Sequence, residues 1–123
     1  MNIPPQHQTV MPYLMVADAE KLLVFLQTVF NAQETYKALQ PDGQSIMHAE
    51  VNIGGSTIMF ANTTDQWKAE PANLFIYVPD ADATFKTALE AGATSVMELA
   101  DKDYGRSGGV QDPFGNVWWI TSV

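Results

Sequence analysis

An α+β fold of two βαβββ modules in tandem is predicted from three features of the 123-residue chain. Apolar residues recur at helical spacing in two stretches, each directly behind an aspartate that can cap a helix. The remaining apolar runs are short, rich in strand formers and divided by turn residues. The second half of the chain also repeats the first: Val16 and Asp18 recur as Val78 and Asp80, and Gly55 with Ile58-Met59-Phe60 recurs as Gly115 with Trp118-Trp119-Ile120, about sixty residues on.

The elements follow in order. The first eight residues are polar and carry Pro4 and Pro5, which predicts a short extended arm. Thr9 to Val16 reads as a strand. Asp18 then caps a helix from Ala19 to about Phe30, whose Leu22, Leu23, Leu26, Val29 and Phe30 form one stripe that Asn31 can stop. Strands are predicted at Gln33 to Ala38, Ser45 to Ile53 and Ser56 to Ala61, divided by Pro41-Asp42-Gly43 and Gly54-Gly55. The first module therefore spans 9–61, residues 62–71 form a polar connection, and the second module spans 72–122 of a single 1–123 domain. In the second module a strand covers Asn73 to Val78. Asp80 caps a helix marked by Ala81, Phe85, Ala88 and Leu89, and strands follow at Thr94 to Leu99, Gly105 to Gln111 and Val117 to Ser122. One helix covers only one face of its sheet, so two modules set side by side, helices outside, would form a curved mixed sheet around a cleft.

Composition narrows the function. Fourteen acidic and six basic side chains give a net charge of −8, a field that repels nucleic-acid phosphates and anionic lipid. The chain has no cysteine, which removes disulfides, thiolate nucleophiles and Cys-ligated metals. The N-terminus lacks the pattern of a secretory signal and no apolar run reaches membrane-spanning length, so a cytoplasmic protein is expected, without nucleic-acid or membrane partners.

Strand alternation assigns faces. Met11, Tyr13 and Met15 should face the cleft from the first strand, and Asn73, Phe75 and Tyr77 from the fifth. Met59 and Trp119 project inward, while Leu14, Val16, Ile58, Phe60, Trp118 and Ile120 turn to the helices. A surface of aromatics and methionines suits a flat, apolar ligand; alternatively, the same residues fill the contact between modules. His48 and Glu50 share one strand face, opposite Met47, Ala49 and Val51. A carboxylate beside an imidazole is an arrangement that acid–base chemistry uses. The glycines Gly105, Gly108 and Gly109 allow a bend or close approach at a mobile cleft edge. Trp67 could close over the cleft or pack against a second subunit.

Three stretches carry a family resemblance: Met11-Pro12-Tyr13-Leu14-Met15-Val16-Ala17-Asp18-Ala19; His48-Ala49-Glu50-Val51 with Ile53-Gly54-Gly55; and Asp112-Pro113-Phe114-Gly115-Asn116 before Trp118. They resemble the vicinal oxygen chelate superfamily of glyoxalase, bleomycin-resistance and dioxygenase type, most closely its PhnB-like branch, from about Val10 to Thr121. The resemblance implies the fold of the glyoxalase/bleomycin-resistance/dihydroxybiphenyl-dioxygenase group. It places the group's usual metal corners at Met11, Met59, Asn73 and Trp119. These side chains do not make a site for a hard divalent ion, so no metal and no cofactor is expected. By the same likeness, Tyr104 and Arg106 lie near the cleft, Arg106 as a candidate for an anionic or carbonyl group. The expected function is to bind a small hydrophobic or aromatic molecule, as a homodimer. The alternative is a lyase, isomerase or dioxygenase using His48 and Glu50 as acid and base or as displaced metal ligands.

Overall fold

The computed structural model describes all residues from Met1 to Val123. Its elements run β1 (Tyr13–Val16), α1 (Ala19–Phe30), β2 (Gln33–Leu39), β3 (Ile46–Ile53), β4 (Ser56–Asn62), β5 (Asn73–Tyr77), α2 (Ala81–Glu90), β6 (Thr94–Lys102), β7 (Gly105–Gln111) and β8 (Val117–Ser122). Two four-stranded mixed sheets result, ordered β1-β4-β3-β2 and β5-β8-β7-β6. In each, the first strand runs parallel to the last and the other pairs are antiparallel. The tandem βαβββ architecture is therefore the one the repeat predicts.

Each helix begins as its sequence dictates. Asp18 accepts from the Lys21 N–H and Asp80 from the Ala83 N–H, filling donors that a first turn leaves open. The last strand of each module supplies a second anchor at the same repeat position. Asn62 Oδ1 accepts from Ala19 N at 2.7 Å, and Ser122 Oγ accepts from Ala81 N at 3.2 Å. Asn62 also donates to Glu20 and to the Ile46 carbonyl, tying α1 to β3 and β4. In the β3–β4 turn, Gly54 and Gly55 both have positive φ, 54° and 94°, as a two-residue hairpin turn requires.

The modules join differently from the side-by-side arrangement. No strand of one sheet pairs with the other. Instead the helix-bearing faces meet in one core of 22 buried residues, in which Phe30 of α1 lies 4.7 Å from the Trp118 ring of β8 and Leu22, Leu26, Phe60 and Ile120 are buried. Both helices contribute their buried faces to this shared core and keep their other faces to solvent. The opposite face of each sheet, its open face, turns to solvent: Tyr13 is 52% exposed, Phe75 51% and Tyr77 66%. Burying apolar side chains decides this choice, because the helix-bearing faces carry the larger continuous apolar surface.

The turn Asp112-Pro113-Phe114-Gly115-Asn116 locks the second module. Buried Asp112 accepts from the Phe114 and Asn116 backbone N–H groups, from Asn116 Nδ2 and from Trp118 Nε1 at 2.9 Å. Asn116 in turn accepts from Ala72 N, fixing where the connection enters β5. Replacing Asp112 by alanine leaves these donors, the Trp118 indole among them, unpaired. We expect Asp112→Ala to lower the unfolding free energy by about 3 kcal/mol, measured by urea denaturation; a loss below about 1 kcal/mol would contradict the role assigned to this turn.

Candidate functional site

The open face of the first module holds both histidines of the chain and a buried carboxylate. β3 presents His48 and Glu50 on this face, and β1 presents Tyr13 beside them, level with Met59 of β4. The side chains form a continuous line. Tyr13 OH lies 2.9 Å from His48 Nδ1, His48 Nε2 lies 2.8 Å from Glu50 Oε2, and the other oxygen of Glu50 lies 2.6 Å from Nε2 of His7. Glu50 is only 6% exposed. Burial by itself pushes the Glu50 carboxyl up, but hydrogen bonds from His7 and His48, with their charges, outweigh it and hold the group below its ordinary value of 4.5. An ionised carboxylate only accepts, so both Nε2 atoms carry hydrogens, and in the uncharged tautomer of His48 that this leaves, Nδ1 accepts from the Tyr13 hydroxyl.

His7 reaches the site because the polar N-terminal arm docks instead of standing free. The Gln8 side chain donates to the Thr57 carbonyl at 2.8 Å and accepts from Thr57 N at 3.2 Å, and the Thr57 hydroxyl donates to the Gln6 carbonyl. An amide side chain thus stands where a neighbouring strand would pair with buried Thr57, since β1 begins only after Pro12. The short arm predicted for the first eight residues is thus docked on β4, and His7 becomes the site residue that sequence reading missed. Its contact spans 43 residues, so no local spacing announces it.

Beside Tyr13 lies a cavity of about 520 Å³ lined by Tyr13, Met15, Met47, Ala61 and Trp67 together with the polar residues Gln40, Asn62 and Thr64. Trp67 is held there by a turn: Thr64 Oγ1 accepts from Gln66 N and Trp67 N, and Thr64 N donates to the Trp67 carbonyl. Met47 was assigned to the face opposite His48. The β2–β3 register shifts between Ala38 and Leu39, and across that irregularity Met47 leaves strict alternation and joins Met15 in the cavity wall.

The second module gathers Phe75, Tyr77, Tyr104, Asn73 and Trp119 on its own open face. Phe75 lies 5.1 Å from Tyr77 and 6.3 Å from Tyr104, ring to ring, and Trp119 Nε1 donates to Asn73 Oδ1 at 3.2 Å. Trp119 lies flat over Gly109, where an added Cβ would come within 2.6 Å of its ring. Gly108 and Gly109 thus serve close packing inside β7 and not a cleft edge. Arg106 is not on this face. It pairs with Ser122 in register, and its guanidinium grips Asp82 of α2 through two bonds, at 2.7 and 3.0 Å, and Asp101 at 3.1 Å. The expectation that it meets a ligand is corrected. Another depression, about 400 Å³, lies at the module junction among Ile53, Ile58, Leu74, Ile76 and Trp118, with Gln8 and Thr57 at its edge. Most of these are helix-side residues.

The residues at the superfamily's metal corners do not fit a hard divalent ion. Met11 and Met59 offer thioethers, an indole offers no practical ligand, and the Asn73 oxygen already accepts from Trp119. His7, His48 and Glu50 do not converge on a point either, because the two imidazoles are spent on opposite oxygens of one carboxylate.

Because the Glu50 carboxyl is depressed on folding, its contribution is complete above the ordinary value of 4.5 and disappears as pH falls through the lower folded value. We expect acid to release the arm first, seen as faster proteolysis within residues 1–8. His7→Ala should release it at neutral pH at a cost of about 1 kcal/mol. Equal protection of the arm under all three conditions would contradict the docking contact.

Comparison with known proteins agrees with this fold. Residues 6–120 match the profile of the Glyoxalase/Bleomycin resistance protein/Dioxygenase superfamily. The uncharacterized protein Mb0911c of Mycobacterium bovis is 36% identical over 119 residues, covering 87% of this chain and 78% of its own length. TioX from Micromonospora sp. ML1 superposes with a TM-score of 0.76 at 26% identity, covering 94% of this chain and 98% of that one. The fosfomycin resistance protein FosX from Listeria monocytogenes shares the fold, with a TM-score of 0.75 at 19% identity and coverage of 93% and 91%. So does a PhnB protein from Bacillus cereus, at 0.73 and 16%, with coverage of 94% and 100%. With nearly the whole length matched and both modules accounted for, the chain belongs to the glyoxalase/bleomycin resistance protein/dioxygenase superfamily.

Proposed function

We propose that this chain binds a small hydrophobic or aromatic molecule on the open face of its first module, in a form of the superfamily scaffold that works without the customary metal ion. One observation carries the reading: the cavity of about 520 Å³ walled by Tyr13, Met15, Met47 and Trp67. Its volume lies within the range of small-molecule sites, and its lining combines two aromatic rings and two thioethers with Gln40, Asn62 and Thr64. Rings supply flat faces and methionines supply polarizable, adaptable contact. The donor chemistry at Met11, Met59, Asn73 and Trp119 supports the metal-free part of the reading.

The same reading makes the protein a homodimer. Phe75 and Tyr77 border the junction depression and remain half or more exposed beside Tyr104, an apolar patch that the chain's own first module covers only in part. Two copies related by a twofold axis would set this patch against the first-module cavity of the partner, closing two equivalent sites. No helix is long and apolar enough to cross a membrane.

Titrating the protein with a panel of neutral aromatic compounds, followed by tryptophan fluorescence, tests the reading. At least one class is expected to bind saturably, and Trp67→Ala should weaken it by about tenfold, roughly 1.4 kcal/mol. Elemental analysis after dialysis against Zn²⁺, Ni²⁺ or Mn²⁺ should find no stoichiometric ion. Failure of every compound to bind, or retention of a stoichiometric metal, would contradict it.

A further inference from the structure

We propose that Tyr13, His48 and Glu50 act together as a proton acceptor for a weakly acidic hydroxyl on the bound molecule, so that the cavity selects phenols, enols or N-hydroxy compounds and holds them as anions. This rests on the Tyr13–Trp67 cavity being the ligand site. The geometry that points to it is the double position of Tyr13, which lines the cavity while its hydroxyl lies 2.9 Å from His48 Nδ1. Behind His48 stands Glu50, 2.8 Å away and itself held by His7 at 2.6 Å.

The bonding pattern gives the line a direction. Glu50 accepts from His48 Nε2–H, and in the uncharged Nε2–H tautomer the Nδ1 lone pair accepts the Tyr13 O–H. The Tyr13 oxygen keeps its own lone pairs for a ligand hydroxyl. When such a hydroxyl donates to it, one proton can move at each step: the ligand O–H bond breaks, a new Tyr13 O–H bond forms, and the original Tyr13 proton passes to His48 Nδ1. The ligand becomes an anion, His48 becomes an imidazolium and Tyr13 ends neutral, so the total charge is unchanged. The imidazolium is stabilised by the buried carboxylate 2.8 Å away.

The groups around His48 favour this outcome. Tyr13 faces it from β1 and Tyr36 from β2, with ring centroids 5.3 and 6.0 Å away. Glu50 lies beside it on β3, His7 comes from the arm beyond Glu50, and β4 contributes uncharged Met59 opposite Glu50. The molecule's net charge of −8 repels anions already formed in solution. A neutral weak acid crosses that field without penalty and meets its counter-charge only inside. Selection should therefore favour weakly acidic hydroxyl compounds over carboxylates of the same shape.

Titration of the full chain with 4-nitrophenol tests this, because its anion absorbs in the visible, at a pH where the free probe is mostly neutral. 4-Nitroanisole, which has no proton to give, reports cavity occupancy through tryptophan quenching. Bound 4-nitrophenol is expected to show an ionised-to-neutral ratio about tenfold above that of the free probe, and 4-nitrobenzoate to bind more weakly. In Tyr13→Phe, which keeps the ring wall, and in Glu50→Gln the ratio should return to the free value at saturation. If 4-nitroanisole binds but 4-nitrophenol stays neutral, or stays ionised in both variants, the proton acceptor is overturned while the cavity reading stands. If neither probe binds, the cavity reading fails and takes this proposal with it.

Discussion

A four-stranded sheet with one helix can cover only one of its faces, and in this chain the two covered faces are spent on each other. Phe30 against Trp118, with Leu22, Leu26, Phe60 and Ile120 around them, makes a single core from both modules. Everything functional follows from that choice. Once the helix-bearing faces are joined, each open face must either meet water, bind a ligand or meet another chain. The residues placed there, Tyr13, Met15, Met59, Phe75, Tyr77 and Trp119, are poor company for water alone.

The two open faces are not equivalent, although the modules repeat. The first carries the polar line from Tyr13 to His7 and the Trp67 wall; the second carries aromatic rings and the Trp119–Asn73 bond. The difference comes from what the chain adds to each module. The arm docks on β4 through Gln8 and brings an imidazole, and the connection folds back through its Thr64 turn to bring an indole. Both additions lie outside the repeated unit. The scaffold is thus duplicated, while the chemistry on the first face comes from the segments that flank it.

The sequence made the modules legible because the patterns that form them are local. The Asp18 and Asp80 caps, the helix from Ala19 to Phe30 and the last two strands fall where periodicity puts them. β1 starts later than predicted, at Tyr13, just after Pro12, and β6 runs on to Lys102 because its hairpin partner continues to Gly105. Alternation also placed Tyr13, Met15, His48, Glu50 and the second-module aromatics on the open faces. It failed at Met47, where a register irregularity breaks the two-residue period. Arg106 pairs with Ser122, whose neighbours Trp118 and Ile120 face the helices, so its guanidinium meets Asp82 of α2, a contact between distant segments that no local spacing announces. His7 was beyond reach, since its contact joins distant segments, whereas Trp67, for which closing over the cleft was one of two expectations, stands in the cavity wall.

The central claim, that the first module's open face is a ligand face, is tested most directly by labelling the methyl groups of the six methionines and recording their resonances as an aromatic ligand is added. The account predicts that Met15 and Met47, which both line the cavity, move together and saturate at the same ligand concentration, while the signal of fully exposed Met1 stays in place. Unmoved Met15 and Met47 resonances at saturating ligand would contradict it.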